Sequence, residues 1–206
     1  MRTRWVVGLV ILMTGAAASD ALAVTVTIPY KGGTVTINAT EIEGIGEVKH
    51  VLKGNAHFKD VNTTTNSTLE AFAREITITL FQKPSSKGAA TGFIRSAEFA
   101  GPVKISQTSW KAVEDETTGQ KTNVETAMEA TADQARYDGA KKMAYLTGNV
   151  RATYTDPSLF QGPATLTGDE ATINLDPNLG PDDLRFAIRS KPGVSRLTVA
   201  PNKEEM

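Results

Sequence analysis

The side chains in this chain that are able to do chemistry are few and scattered. His50 and His57 are its only histidines, seven residues apart on opposite parities of a strand-like stretch, and so on opposite faces. One metal ion would reach both only across a bend, and no third ligand accompanies them. Glu41, Glu43, Asp169 and Glu170 are the carboxylates available for an acid–base pair. Such a pair must converge in one cleft, whereas these four read as a solvated strand face. Glu114-Asp-Glu116 has the composition of a solubilising loop. Gly44-Ile-Gly46 lacks the third glycine and the following helix of a nucleotide-binding turn. There is no cysteine, no Gly-x-Ser-x-Gly elbow, no His-Glu-x-x-His and no phosphate loop. The reading is therefore non-enzymatic, with no catalytic residue, no metal and no cofactor.

The elements that would position any site are better defined than the site. Residues 142–176 hold two alternating stretches. In the first, Ala144, Leu146, Val150, Ala152 and Tyr154 share one parity; in the second, Ala171, Ile173 and Leu175 do. A period of two marks a strand with one buried face. The intervening Asp156-Pro-Ser and Gly162-Pro163 read as hairpin turns.

This pair repeats. Gly54-Asn55, Gly101-Pro102 and Gly148-Asn149 give a turn-like signal every 47 residues. Counted from each glycine, positions −2, +2 and +4 hold Leu52, Ala56, Phe58, then Phe99, Val103, Ile105, then Leu146, Val150, Ala152. The answering strands repeat as Ala73-Arg-Glu-Ile-Thr-Ile78, Ala132-Asp-Gln-Ala-Arg-Tyr137 and Gly168-Asp-Glu-Ala-Thr-Ile173, with a fourth trace in Ala39-Thr-Glu-Ile42. Strand pairs that recur in this way cannot each close a core and must stack on their neighbours. Arg74, Asp133 and Asp169 recur with the period, which suits a structural feature better than a catalytic one.

Both ends of the chain differ from the middle. Arg2 and Arg4, an apolar run over residues 5–13 and the small-x-small Ala21-Leu-Ala23 form a secretory signal peptide over residues 1–23, cleaved before Val24. The run is too short to cross a bilayer comfortably. The remainder has 20 basic and 22 acidic residues. That balance argues against a nucleic-acid partner. One β-domain is expected over 24–200, with a frayed tail over 201–206.

Within that domain, residues 24–28 and 34–37 flank 29–33 as a hairpin, 43–46 read as a turn, and 62–68 as a polar loop tip. Residues 82–88 read as a flexible connector, and Leu184, Phe186 and Ile188 alternate before a last short strand holding Leu197 and Val199. Residues 124–134 have a helical composition but overlap an answering strand, and are read as strand. The expected class is all-β, built from repeated antiparallel strand pairs.

Three segments carry a family likeness: Ala132-Asp-Gln-Ala-Arg-Tyr137, Lys142-Met-Ala-Tyr-Leu-Thr-Gly-Asn-Val150 and Leu166-Thr-Gly-Asp-Glu-Ala-Thr-Ile173. They resemble the repeated pattern of the OstA-like (LptA) family of periplasmic lipopolysaccharide-transport proteins. The likeness is closest over 130–176, weaker over 35–80, and departs from the pattern over 81–125. It implies an elongated, twisted β-jelly roll, open at its ends, in the periplasm. That fold would shelter acyl chains of lipopolysaccharide or another envelope lipid and assemble head to tail with like domains.

Carried onto this chain, the likeness implies a lipid-facing lining of Leu52, Phe58, Ile76, Ile78, Phe99, Val103, Ile105, Tyr137, Leu146, Val150, Ala171 and Ile173. It also implies self-assembly edges at Val24, Val26 and Ile28 and at Leu197 and Val199. Two other roles are compatible with the same residues. One is an LptC-like, membrane-associated partner, which the Ala21-Leu-Ala23 cleavage site disfavours. The other is a structural envelope β-domain whose apolar residues only pack.

Overall fold

The computed structural model describes residues 23–30, 32–45, 48–80, 94–114, 119–158, 160–176, 179, 183, 185–191 and 193–199. The expected signal peptide up to Leu22, the expected connector 82–88, Leu184 and the expected tail 201–206 lie outside them. Every regular element among the described residues is a strand. In chain order they are β1 (Val24–Tyr30), β2 (Gly33–Ala39), β3 (Glu41–Ile45), β4 (Lys49–Asn62), β5 (Ser67–Leu80), β6 (Ile94–Glu114), β7 (Lys121–Asp138), β8 (Met143–Thr155), β9 (Ala164–Asn174), β10 (Phe186–Arg189) and β11 (Arg196–Thr198). The helical composition of 124–134 is overridden, because alternation there places Met128, Ala130 and Ala132 on the buried face of β7. Residues 43–45 belong to β3 rather than to a turn, since Glu43 and Ile45 pair with Val51 and Lys49.

All strands form one antiparallel sheet in the order β1-β2-β4-β5-β6-β7-β8-β9-β10. β3 joins beside β4, and β11 beside β9. From β4 to β9 each strand pairs with its neighbours in sequence, so this part of the sheet is a meander of hairpins. The β1–β2 hairpin closes on Tyr30 opposite Gly33. The turn after Asn62 is held by its own side chain, whose Oδ1 accepts from the Thr64 and Thr65 amides.

The glycines at the 47-residue period do not turn the chain back. They sit in mid-strand, where β4, β6 and β8 each carry one more residue than the strands beside them. Gly54-Asn55 faces the single Arg74, Gly101-Pro102 faces Asp133, and Gly148-Asn149 faces Asp169. These are β-bulges, which bend a strand sharply while leaving it paired. The positive φ of Gly54 (73°) and Gly148 (77°) explains the residue type. A Cβ on Gly148 would stand 2.9 Å from the Asp133 Cβ.

In the answering strands the two polar residues absorb the same bend. Inward positions run Ala71, Ala73, then Ile76, Ile78 in β5, and Ala130, Ala132, then Ala135 in β7. The parity changes across Arg74-Glu75 and across Asp133-Gln134, so both members of each pair face away from the core. The crease continues at each end, between β2 and β3 at Thr40 and between β10 and β11 beside Gly168-Asp169. One line of bulges thus crosses the whole sheet and folds it into two facing halves with a single apolar core between them.

Candidate functional site: an apolar interior and its polar seam

The two inward faces meet. Phe58, Ala71 and Ile105 from one half and Ala97, Phe99, Tyr137 and Ala144 from the other surround the same interior cavity, which measures about 20 Å³. That is room for roughly one water molecule. All twelve residues expected to line a lipid path lie on this inward surface. Leu52, Ile76, Ile78, Leu146, Val150 and Ile173 are buried to 2 % exposure or less. Phe58, Phe99, Val103, Ile105 and Ala171 are also buried, and Tyr137 packs against them half-buried. The lining implied by the family likeness leaves out Val35, Ile37, Leu166 and Leu175, which belong to the same core, although Leu175 shares the inward parity of Ala171 and Ile173. Their alternation is as regular as that of the repeat, but they fall outside the spacing counted from the glycines.

Opposite the crease, the hairpin ends of the two halves approach along a seam of different chemistry. Gln107 of β6 donates from Nε2 to the Leu175 carbonyl across it, at 3.1 Å. Asp60, held by the Tyr30 hydroxyl at 2.7 Å, stands on one side, and Lys142, paired with Asp176 at 3.0 Å, on the other. Burial raises the Asp60 carboxyl above its usual range, against the lowering effect of the Tyr30 hydrogen bond. Burial, followed by the charges of Asp60, Asp138 and Asp176, pushes Tyr137 up to about 12. Tyr137 is therefore a neutral phenol at physiological pH, with an apolar ring inward and a hydroxyl at the seam.

Further along the seam, Asp156 is fully buried and fully bonded. It accepts from Lys111 Nζ at 2.7 Å, the Tyr154 hydroxyl at 2.9 Å, and the Ser158 hydroxyl and amide at 2.6 and 3.1 Å. Burial alone would raise its carboxyl, but the bonds from Lys111, Ser158 and Tyr154 together hold it below the usual range. Tyr154 is in turn pushed up to about 12, first by burial and then by its hydrogen bond to Asp156. This knot ties β6 to the β8–β9 turn.

The candidate catalytic and metal groups stay apart. His57 lies on the outer surface of β4, stacked on Phe72 at 4.2 Å with Asn38 against its Nδ1, and burial lowers its tendency to protonate. His50 stands opposite Ile78 in the other half of the fold. Glu41 and Glu43 are on β3, and Asp169 and Glu170 are on β9, near opposite ends of the sheet. Among the described residues no group of three His, Asp or Glu side chains could hold a metal ion. Asp133 and Asp169 serve the crease: Asp133 accepts from Asn149 Nδ2 at 2.9 Å, and Asp169 from the Lys191 amide at 2.9 Å.

The edge residues are divided. Val24, Val26 and Ile28 pair with Ala39, Ile37 and Val35, and Val26 and Ile28 pack against the core. Leu197 and Val199 at the far end are 55 % and 42 % exposed. Among the described residues, two strands at each end have no partner on their outer side, β1 and β3 at one and β10 and β11 at the other.

A family model described as LptA/(LptD N-terminal domain) LPS transport protein matches residues 33–179. The chain belongs to this family. As an LptA-type domain it shares its fold with LptH of Pseudomonas aeruginosa, described as the LptA homologous periplasmic component of the conserved lipopolysaccharide transport device. The two superpose with a TM-score of 0.51 at 10 % identity, covering 81 % of this chain and 95 % of LptH. The fold is accordingly the elongated, twisted β-jelly roll of LptA-type proteins, with its sheet unclosed. No curated protein matches the chain in sequence.

Proposed function

We propose that this chain is a non-enzymatic periplasmic carrier that shelters the acyl chains of lipopolysaccharide, or a related envelope lipid, between the two halves of its folded sheet. Family membership supports the transport role. The carrying observation is the unbroken apolar inward face, joined at the crease and bridged along the seam by the Gln107 side chain. Each methylene left in water costs about 0.8 kcal/mol, so a lipid crossing an aqueous compartment requires such a surface. A cavity of about 20 Å³ does not hold an acyl chain, so loading parts the halves at the seam. The chain's apolar contacts then replace those the two faces make with each other. Backbone edges at both ends support head-to-tail continuation into a bridge with other domains of this family, or with further copies of the chain.

The test is native mass spectrometry with lipid extraction on the mature protein purified gently from its own envelope. Near-stoichiometric lipopolysaccharide or another acylated lipid is the expected result. A lipid-free protein that also fails to take up added lipid overturns the carrier reading in favour of a packed envelope β-domain, the rival that the filled interior supports. Sequencing the mature N-terminus separates both from an LptC-like membrane-associated role, with a start at Val24 expected for the carrier.

A further inference from the structure

Among the described residues, one buried side-chain polar atom has no hydrogen-bond partner, Nε2 of His57. The sheet register sets Thr25 of β1 opposite Asn38 of β2, Asn38 opposite His57 of β4, and His57 opposite Phe72 of β5. The Thr25 hydroxyl donates to Asn38 Oδ1 at 2.7 Å, and Asn38 Nδ2 lies 3.2 Å from His57 Nδ1. The imidazole stacks on Phe72 at 4.2 Å, with the ring planes 2° apart. Its Nε2 points to Glu70 of β5 at 3.9 Å, beyond hydrogen-bond reach, while Glu70 is held by Lys59 of β4 at 2.6 Å. Glu70 and Lys59 are the charges that act on the ring. Arg74 packs against Gly101 instead, Lys104 pairs with Glu129, and β1 and β2 present only Thr25 and Asn38. Asn38–His57 is also the last pair of the β2–β4 ladder before the crease, and that ladder joins the β1–β2 hairpin to the rest of the sheet.

The protonation state of the ring fixes the direction of this chain of bonds. The Glu70 carboxylate favours a proton on Nε2, so the neutral ring accepts at Nδ1 from Asn38, whose Oδ1 accepts from Thr25. A second proton goes to Nδ1, where donor then faces donor. Turning the Asn38 amide over restores that bond only by reversing the Thr25 bond too, and the ring still carries charge in a half-buried site. We propose that His57 is a proton-operated latch for the N-terminal hairpin: as a neutral ring it fastens β1–β2 to β4, and as an imidazolium it lets that edge of the sheet loosen. Burial outweighs the attraction of Glu70 and lowers the folded-state titration below the ordinary imidazole value. The latch is therefore fully closed above about pH 6.5 and is lost as the pH falls through the folded value. It acts whatever the interior carries, and it sets how firmly the rod presents β1, the outermost strand at that end.

Amide hydrogen exchange on the full mature chain at about pH 7.5 and about pH 5, corrected for the intrinsic pH dependence of exchange, reads local opening strand by strand. Acidification is expected to raise the opening of β1 and β2 at least about threefold more than that of β6. His57→Gln keeps an amide against Asn38 but does not titrate, so in this variant acid opens β1–β2 and β6 alike. Asn38→Asp offers the Nδ1 proton an acceptor; it raises the imidazole titration followed by NMR of the ring protons and reverses the effect, leaving the hairpin tighter at the lower pH. A wild type in which acid opens β6 as much as β1–β2 overturns the latch, because the loss is then global. The same acid-induced loosening in His57→Gln also overturns it, by assigning the effect to other groups. A wild-type His57 ring that titrates at or above the ordinary imidazole value overturns it without any variant.

Discussion

Gly148 and Asp156 are the residues on which the fold depends in ways that burial alone does not show. Gly148 has φ 77° with the Asp133 side chain against it, so Gly148→Ala strains the backbone and meets a neighbour that cannot move far. A loss of at least about 1–2 kcal/mol in urea denaturation is expected. Gly162→Ala, with open space around it, stays within about 0.5 kcal/mol. Asp156 makes a prediction about pH. Its carboxyl lies below the usual range in the folded state, so its stabilisation is present above about pH 4 and is lost as the pH falls through the folded value. Denaturation midpoints at pH 7 and pH 3 should therefore fall further for the wild type than for Asp156→Asn. At pH 7 that variant is the less stable, by about 1–3 kcal/mol, since it leaves Lys111, Tyr154 and Ser158 imperfectly bonded.

At the scale of the element, the informative feature is that each long strand is two half-strands joined at a bulge. The bulges let one strand contribute to both faces of the core, so packing on one side of the crease constrains the other. Joining the halves at the seam should stop them parting. A chain carrying Gln107→Cys and Leu175→Cys, in a protein with no other cysteine, can be bridged by a short bis-maleimide across that contact. Lipid uptake is expected to fall at least about tenfold on bridging and to be normal for the same variant capped with a monofunctional maleimide. Equal uptake in both forms would mean that the lipid enters from an open end.

The whole molecule is a rod with different ends. Its N-terminal end offers β1, whose Val26 and Ile28 pack against the core, and β3, whose Ile45 is exposed, while its C-terminal end exposes Leu197, Val199 and Val194. Edges of that kind template pairing with another chain, and charges on an edge suppress it. If the rods line up end to end, light scattering of the wild type shows an average mass rising with concentration. The Leu197→Lys, Val199→Lys double variant stays monomeric with an unchanged thermal midpoint, because both sites are exposed. A wild type that is monomeric at every concentration removes self-assembly.

Sequence alone determined the strands, the inward face and its period, because alternation of apolar side chains is a local property of the chain. The residues at −2, +2 and +4 from Gly54, Gly101 and Gly148 were legible as buried, and they are buried. The recurring Arg74, Asp133 and Asp169 were legible as structural. What the glycines do there was not legible. Gly-Asn with positive φ is the same local signal in a hairpin turn and in a bulge, and only the pairing of the next strand distinguishes them. The seam was equally hidden. Asp60, Gln107, Tyr137 and Leu175 are far apart in the chain and become neighbours only when the creased sheet brings its hairpin ends together. Periodicity thus specified which residues face inward, and tertiary folding decided what they face.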